Sequence, residues 1–109
     1  MTRMIENLEK LVGTPRDGAL LRYSLGLEHA KAGDIARAVE RFHEALARDP
    51  GYSAAWKALG KTLEASAPEE ALDAYRKGIE AARAKGDRQA EKEMSVFARR
   101  LEKRDASGR

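Results

Sequence analysis

Residues 19–52 read ALLRYSLGLEHAKAGDIARAVERFHEALARDPGY, and residues 53–85, SAAWKALGKTLEASAPEEALDAYRKGIEAARAK, say much the same again. Leu25-Gly26 returns as Leu59-Gly60 at a spacing of 34, and Ala38, Phe42 and Ala45 return as Ala71, Tyr75 and Gly78 at a spacing of 33. A period of this size marks stacked supersecondary units, none of which buries its apolar face alone. The repeat therefore fixes the fold class before any single residue is weighed, and it points to a surface for holding something.

Working outward from the repeat, spacings of three and four dominate the apolar pattern and no long stretch alternates at period two. The expectation is an all-α chain of about six helices arranged as an α-α superhelix of antiparallel hairpins. The first helix, near residues 3 to 12, carries Met4, Leu8 and Leu11 on one face and ends at Gly13, a residue that tolerates the left-handed cap. Thr14-Pro15-Arg16-Asp17 offers a cap, a first-turn proline and a weak capping box, so the second helix is expected from 15 or 18 to 32. Gly33-Asp34 ends that helix and caps the next, about 35 to 48, which stops at Asp49-Pro50-Gly51. Ser53 is expected to cap a fourth helix to about 65, and Ser66-Ala67-Pro68-Glu69 to form a full capping box for a fifth, to about 84. Gly86-Asp87 repeats the stop-and-cap device ahead of a last helix, about 88 to 103, and residues 105–109 read as a frayed polar tail.

These residues resemble the tetratricopeptide repeat, whose unit of 34 residues carries a Trp, Leu-Gly and Tyr in its first helix and Ala, Phe, Ala and a closing Pro in its second. Leu25, Gly26, Ala38, Phe42, Ala45 and Pro50 match in the first unit; Trp56, Leu59, Gly60, Leu63, Ala71, Tyr75 and Gly78 match in the second. The first unit departs at Arg22, where a large apolar residue belongs, with Leu21 as a substitute, and at His29, where a Tyr belongs. The second has a turn one residue shorter and Arg83 in place of the closing Pro, so its second helix should run on to Gly86. Counting back 34 from Ala38, Phe42 and Ala45 reaches Met4, Leu8 and Leu11, as if the first helix were half of a preceding unit. The resemblance thus implies one domain over 1–109: a half-unit at 1–14, repeats at 15–52 and 53–86, a capping helix at 87–104 and the tail at 105–109. Gly26 and Gly60 are expected to let the facing helix approach, with Phe42 and Tyr75 filling the space beside them.

Composition narrows the function. The 109 residues suffice for one core. The 21 Lys and Arg against 18 Asp and Glu leave a net charge of 21 − 18 = +3 in a dense mixture of signs, which describes a solvated helical surface. Absence of cysteine excludes disulfides, thiolate metal sites and thiol nucleophiles. Charges interleaved among the first apolar residues are incompatible with a secretory or membrane-spanning segment, and a cytoplasmic location with no membrane partner is the default expectation.

Little chemistry is legible. His29 and His43 lie on different helices, Glu40, His43 and Glu44 read as an exposed helical face rather than a metal site, and none of Ser24, Ser53, Ser66, Ser95 or Ser107 sits in a nucleophile-elbow sequence. No catalytic residue, cofactor or metal is expected, so the chain reads as a non-enzyme.

What remains is a surface. The resemblance implies a concave groove lined by the first helix of each unit, here Leu20, Tyr23, Leu27 and Ala30, then Ala54, Lys57, Lys61 and Glu64. The first four form an apolar line suited to a peptide or partner helix unless the N-terminal helix covers it. The second four are basic, although the Lys and Asn pairing of the family's chaperone-tail clamp is missing, because the only asparagine is Asn7. The leading expectation is a protein–protein interaction module, an adaptor or scaffold binding a protein or peptide. Two alternatives stay beside it: nucleic-acid binding through Arg99, Arg100, Lys103, Arg104 and Arg109, against which Glu102 and Asp105 and the lack of an aromatic platform count, and a structural, self-associating homo-oligomer.

Overall fold

A computed structural model describes residues 2–107. Among them are six helices and no strand: α1 (Thr2–Glu9), α2 (Ala19–Lys31), α3 (Ile35–Arg48), α4 (Ser53–Leu63), α5 (Pro68–Lys85) and α6 (Arg88–Ser107). They fall into two compact units, Met1–Pro50 and Gly51–Arg109.

In the first unit α2 and α3 form an antiparallel hairpin. Gly33, at φ 82°, takes the left-handed conformation that lets the chain reverse in three residues, and Asp34 then accepts a hydrogen bond from Arg37 N at 3.2 Å. Gly26 and Phe42 stand eight residues either side of Asp34 and meet across the hairpin. A Cβ at position 26 would overlap the Phe42 ring, and Phe42 is fully buried, as are Leu25, Ala38 and Ala45. The close approach expected of Gly26 is therefore what the fold uses. α1 is shorter than the pattern 3 to 12 suggests: it gives way after Glu9 to turns that end at Gly13, where φ is 81°.

The second unit repeats the hairpin with α4 and α5 and adds α6. A Cβ at Gly60 would overlap the ring of Tyr75. At Gly78 three helices converge, since a Cβ there would lie 2.7 Å from Trp56 Cβ and would also strike Met94 of α6. As the missing proline suggests, α5 runs on to Lys85 and stops at Gly86, at φ 75°, after which Asp87 accepts from Ala90 N at 3.1 Å.

The cap assignments fail at three places. Ser53 is the first residue of α4 and is buried; Tyr52 takes the cap position, with no side-chain cap bond. α5 starts after Ala67, so Ser66 makes no box and Pro68 alone sets the entry, its fixed φ already helical. Residues 14–17 form a turn rather than the start of α2: Thr14 Oγ1 accepts from Arg16 N, but α2 begins only after Gly18. Asp17 bonds Gly13 N at 2.9 Å and is otherwise taken by Arg22. Ser53 is thus claimed by burial and Asp17 by Arg22, whereas Ser66 stays exposed one residue before the cap position. At the other end α6 continues through Ser107, past the expected end near 103; residues 108 and 109 of the expected tail lie outside the described residues.

Candidate partner-binding surface

In the first unit, Leu20, Tyr23, Leu27 and Ala30 follow one another at three and four along α2, so they share a face. Leu20 is 68% exposed and α1 does not cover it. Tyr23, Leu27 and Ala30 are half-buried, and the Tyr23 ring lies 6.1 Å from that of Phe42. The face thus combines one projecting leucine with an aromatic that rests on the core.

The reverse side of the hairpin is polar where family pattern would have it apolar. Arg22 is buried and grips Asp17 with two bonds, Nε to Oδ1 at 2.9 Å and Nη2 to Oδ2 at 2.7 Å, while Nη1 donates to Glu44 at 2.7 Å. Glu44 also accepts from Arg41 at 2.8 Å, and Arg41 reaches Glu9 of α1 at 2.9 and 3.1 Å. These bonds hold the Asp17 carboxyl well below its usual range, chiefly because Arg22 donates to it, and push the Arg22 guanidinium upward. Burial alone would raise Glu44, but the two arginines outweigh it and its carboxyl is also lowered. His29 is buried beside this chain of charges with Nε2 unbonded, 3.7 Å from Glu9 Oε1. Glu44 is accordingly a half-buried member of an ion-pair network and not part of an exposed face with Glu40 and His43. Leu21, the neighbour of Arg22 in the chain, is buried as well. The network ties α1 to the hairpin, a role the sequence shows only as paired departures at Arg22 and His29.

In the second unit the four positions on α4 and its C-cap Glu64 are largely engaged. Lys57 pairs with Glu93 of α6 at 2.9 Å, which lowers the Glu93 carboxyl. Lys61 lies over the Phe97 ring at 4.9 Å. Glu64 accepts the Tyr75 hydroxyl, and burial together with that bond raises the Tyr75 phenol far above its usual value. Ala54 and Lys57 also line a cleft of about 340 Å³ with Asp87, Gln89 and Glu93. Lys57 and Lys61, like charges four apart, are thus answered by α6, whose acidic and aromatic side chains the repeat pattern of α4 and α5 does not foretell. Among the described residues no group of three His, Asp or Glu side chains is placed to hold a metal, and no helix is long and apolar enough to cross a membrane.

Residues 19–62 match the family model for the tetratricopeptide repeat. A TPR repeat-containing protein of Pseudomonas aeruginosa is 46% identical over 101 residues, covering 92% of this chain and 96% of its own. The chain belongs to the tetratricopeptide repeat family. Solved structures agree: a Bordetella parapertussis protein at 40% identity gives a TM-score of 0.81, covering 94% of this chain and 90% of that one. A tetratricopeptide repeat domain protein of Salinibacter ruber, at 34% identity, gives 0.74 over 81% of this chain and 89% of that one. The TPR fold generally mediates protein–protein interaction, and its proteins are generally scaffolds rather than enzymes.

Proposed function

We propose that this TPR protein is a non-enzymatic adaptor that binds a partner peptide or helix on the face of α2 formed by Leu20, Tyr23, Leu27 and Ala30. The observation that carries this reading is Leu20, a large apolar side chain left 68% exposed at the edge of a face whose other members rest on the core. Burying it against a partner would return roughly 1.5–3 kcal/mol that the isolated chain forgoes. The α4 positions Ala54, Lys57, Lys61 and Glu64 support the partner less directly, because Lys57 and Glu64 already hold intramolecular partners. We place the protein in the cytoplasm on the same terms.

Affinity capture from a native lysate tests the reading. Leu20→Asp should remove the captured protein while leaving the circular dichroism spectrum intact. Lys57→Glu with Lys61→Glu should weaken capture of an acidic partner only. Retention of every captured protein by the Leu20→Asp chain would refute the α2 face as the site.

A further inference from the structure

Helix α6 sorts its charges by direction. Its glutamates turn toward the other helices of the second unit: Glu91 meets Arg83 at 3.0 Å, Glu93 meets Lys57 at 2.9 Å and Glu102 meets Arg76 at 2.8 Å. Four of its cations do otherwise, while Arg100 lies over the Phe97 ring at 5.6 Å. Arg88, Lys92, Arg99 and Lys103 are exposed and have no carboxylate partner among the described residues. At 3.6 residues per turn these four and Val96, itself 44% exposed, fall within a sector of about 80°, along roughly 22 Å of helix. No acid of α6 shares that sector. Its first half borders a shallow hollow of about 680 Å³ lined by Arg88, Gln89, Lys92, Glu93 and Val96.

We infer that this stripe is a second docking site, separate from the α2 face, for an acidic amphipathic helix of a partner protein. Like charges four apart, Arg88 with Lys92 and Arg99 with Lys103, oppose the helix that carries them, and a facing row of carboxylates reverses the sign of that interaction. Val96, between the two cationic pairs, gives such a helix one apolar contact at its centre, and the hollow beside it accepts a side chain. A nucleic acid fits worse: the stripe carries no aromatic ring for base stacking, since Phe97 is held against Tyr75 at 5.5 Å. A lipid surface fits worse too, because a single valine is a poor insertion element beside the Trp, Phe and Leu such helices use.

The test uses the full chain and a fluorescent synthetic helix of about four turns with glutamates along one face and leucines beside them. Saturable binding is expected, with amide shifts concentrated on α6, and the combined changes Arg88→Gln, Lys92→Gln, Arg99→Gln and Lys103→Gln should weaken it about tenfold or more. All four side chains are exposed, so the melting curve should be preserved. Val96→Ser should weaken binding a few-fold, a change that charge attraction alone does not produce, and Leu20→Asp should leave it unaltered, which separates this site from the α2 face. Absence of saturable binding, binding indifferent to the glutamine changes, or tighter binding of polyuridine, duplex DNA or phosphatidylserine vesicles than of the peptide overturns the proposal.

Discussion

The two hairpins occupy the same repeat positions with opposite chemistry. Where α4 carries Trp56 and Leu63, α2 carries Arg22 and His29; where α4 and α5 join Glu64 to the Tyr75 hydroxyl, α2 and α3 set Ala30 and Phe42. The last exchange is paired: hydroxyl and carboxylate are both present in one unit and both absent in the other, which leaves neither a buried hydroxyl nor a carboxylate without its partner. The first exchange is paired as well. Arg22 occupies the place of a large apolar residue because Asp17 and Glu44 meet it, and Leu21 is buried where the second unit has the smaller Ala55 beside Trp56. A repeat position therefore specifies a volume and a contact, and the chemistry filling it is set by the neighbouring element.

The sharpest way to break the comparison is at the positions where the hairpins agree. Gly26→Leu and Gly60→Leu should each destabilise the chain by about 1–3 kcal/mol through overpacking against Phe42 or Tyr75, seen as a lowered melting temperature. An unchanged melt for one of them would show that the two glycines are not equivalent.

Acid should separate the units next, because the second unit's lowered carboxyl, Glu93, sits in a more exposed pair with Lys57 that contributes less than the buried Arg22 pairs. Asp17 and Glu44 titrate below their ordinary values in the folded chain, so the stability they contribute is complete above about pH 4.5 and is lost as pH falls below it. The only tryptophan, Trp56, lies in α4 of the second unit. On acidification helical circular dichroism should begin to fall before Trp56 fluorescence changes; superimposed transitions would remove the distinction.

A smaller effect is expected from Tyr75→Phe, which makes the second hairpin resemble the first but strands Glu64. Its cost should be about 0.5–1.5 kcal/mol in denaturant unfolding, and Glu64→Ala made with it should restore part of the loss. The smallest change should be favourable: His29→Leu copies Leu63 and removes an unbonded buried Nε2, so the melting temperature at pH 8 should rise slightly. A marked fall would mean that the Glu9 contact matters more than the unbonded nitrogen.

Much of this was legible in the residues. The repeat of Leu25-Gly26 and Leu59-Gly60, with Phe42 and Tyr75 at their fixed distances, carries the hairpins because helix periodicity and close packing leave one way to bring a glycine against a ring. The stops at Gly33 and Gly86 and the caps at Asp34 and Asp87 were equally legible, since they depend on local backbone conformation. The capping roles of Ser53 and Ser66 were not, because Ser53 is buried as the first residue of α4 and α5 starts at Pro68, one residue too late for Ser66 to cap it. Nor were the engagements of Lys57, Lys61 and Glu64 legible, as their partners Glu93, Phe97 and Tyr75 lie 36, 36 and 11 residues away.

The sequence by itself determined the helical class, the hairpin register and the family, all of which follow from spacings within about 34 residues. Only the tertiary structure decided which charges are spent inside the chain and which are left over: that Arg22 and Glu44 are internal, that Lys57 is answered by Glu93, and that Leu20 and the outer cations of α6 are not answered. Charge pairing depends on which helix faces which, and that is a property of packing across helices that no periodicity along one of them contains.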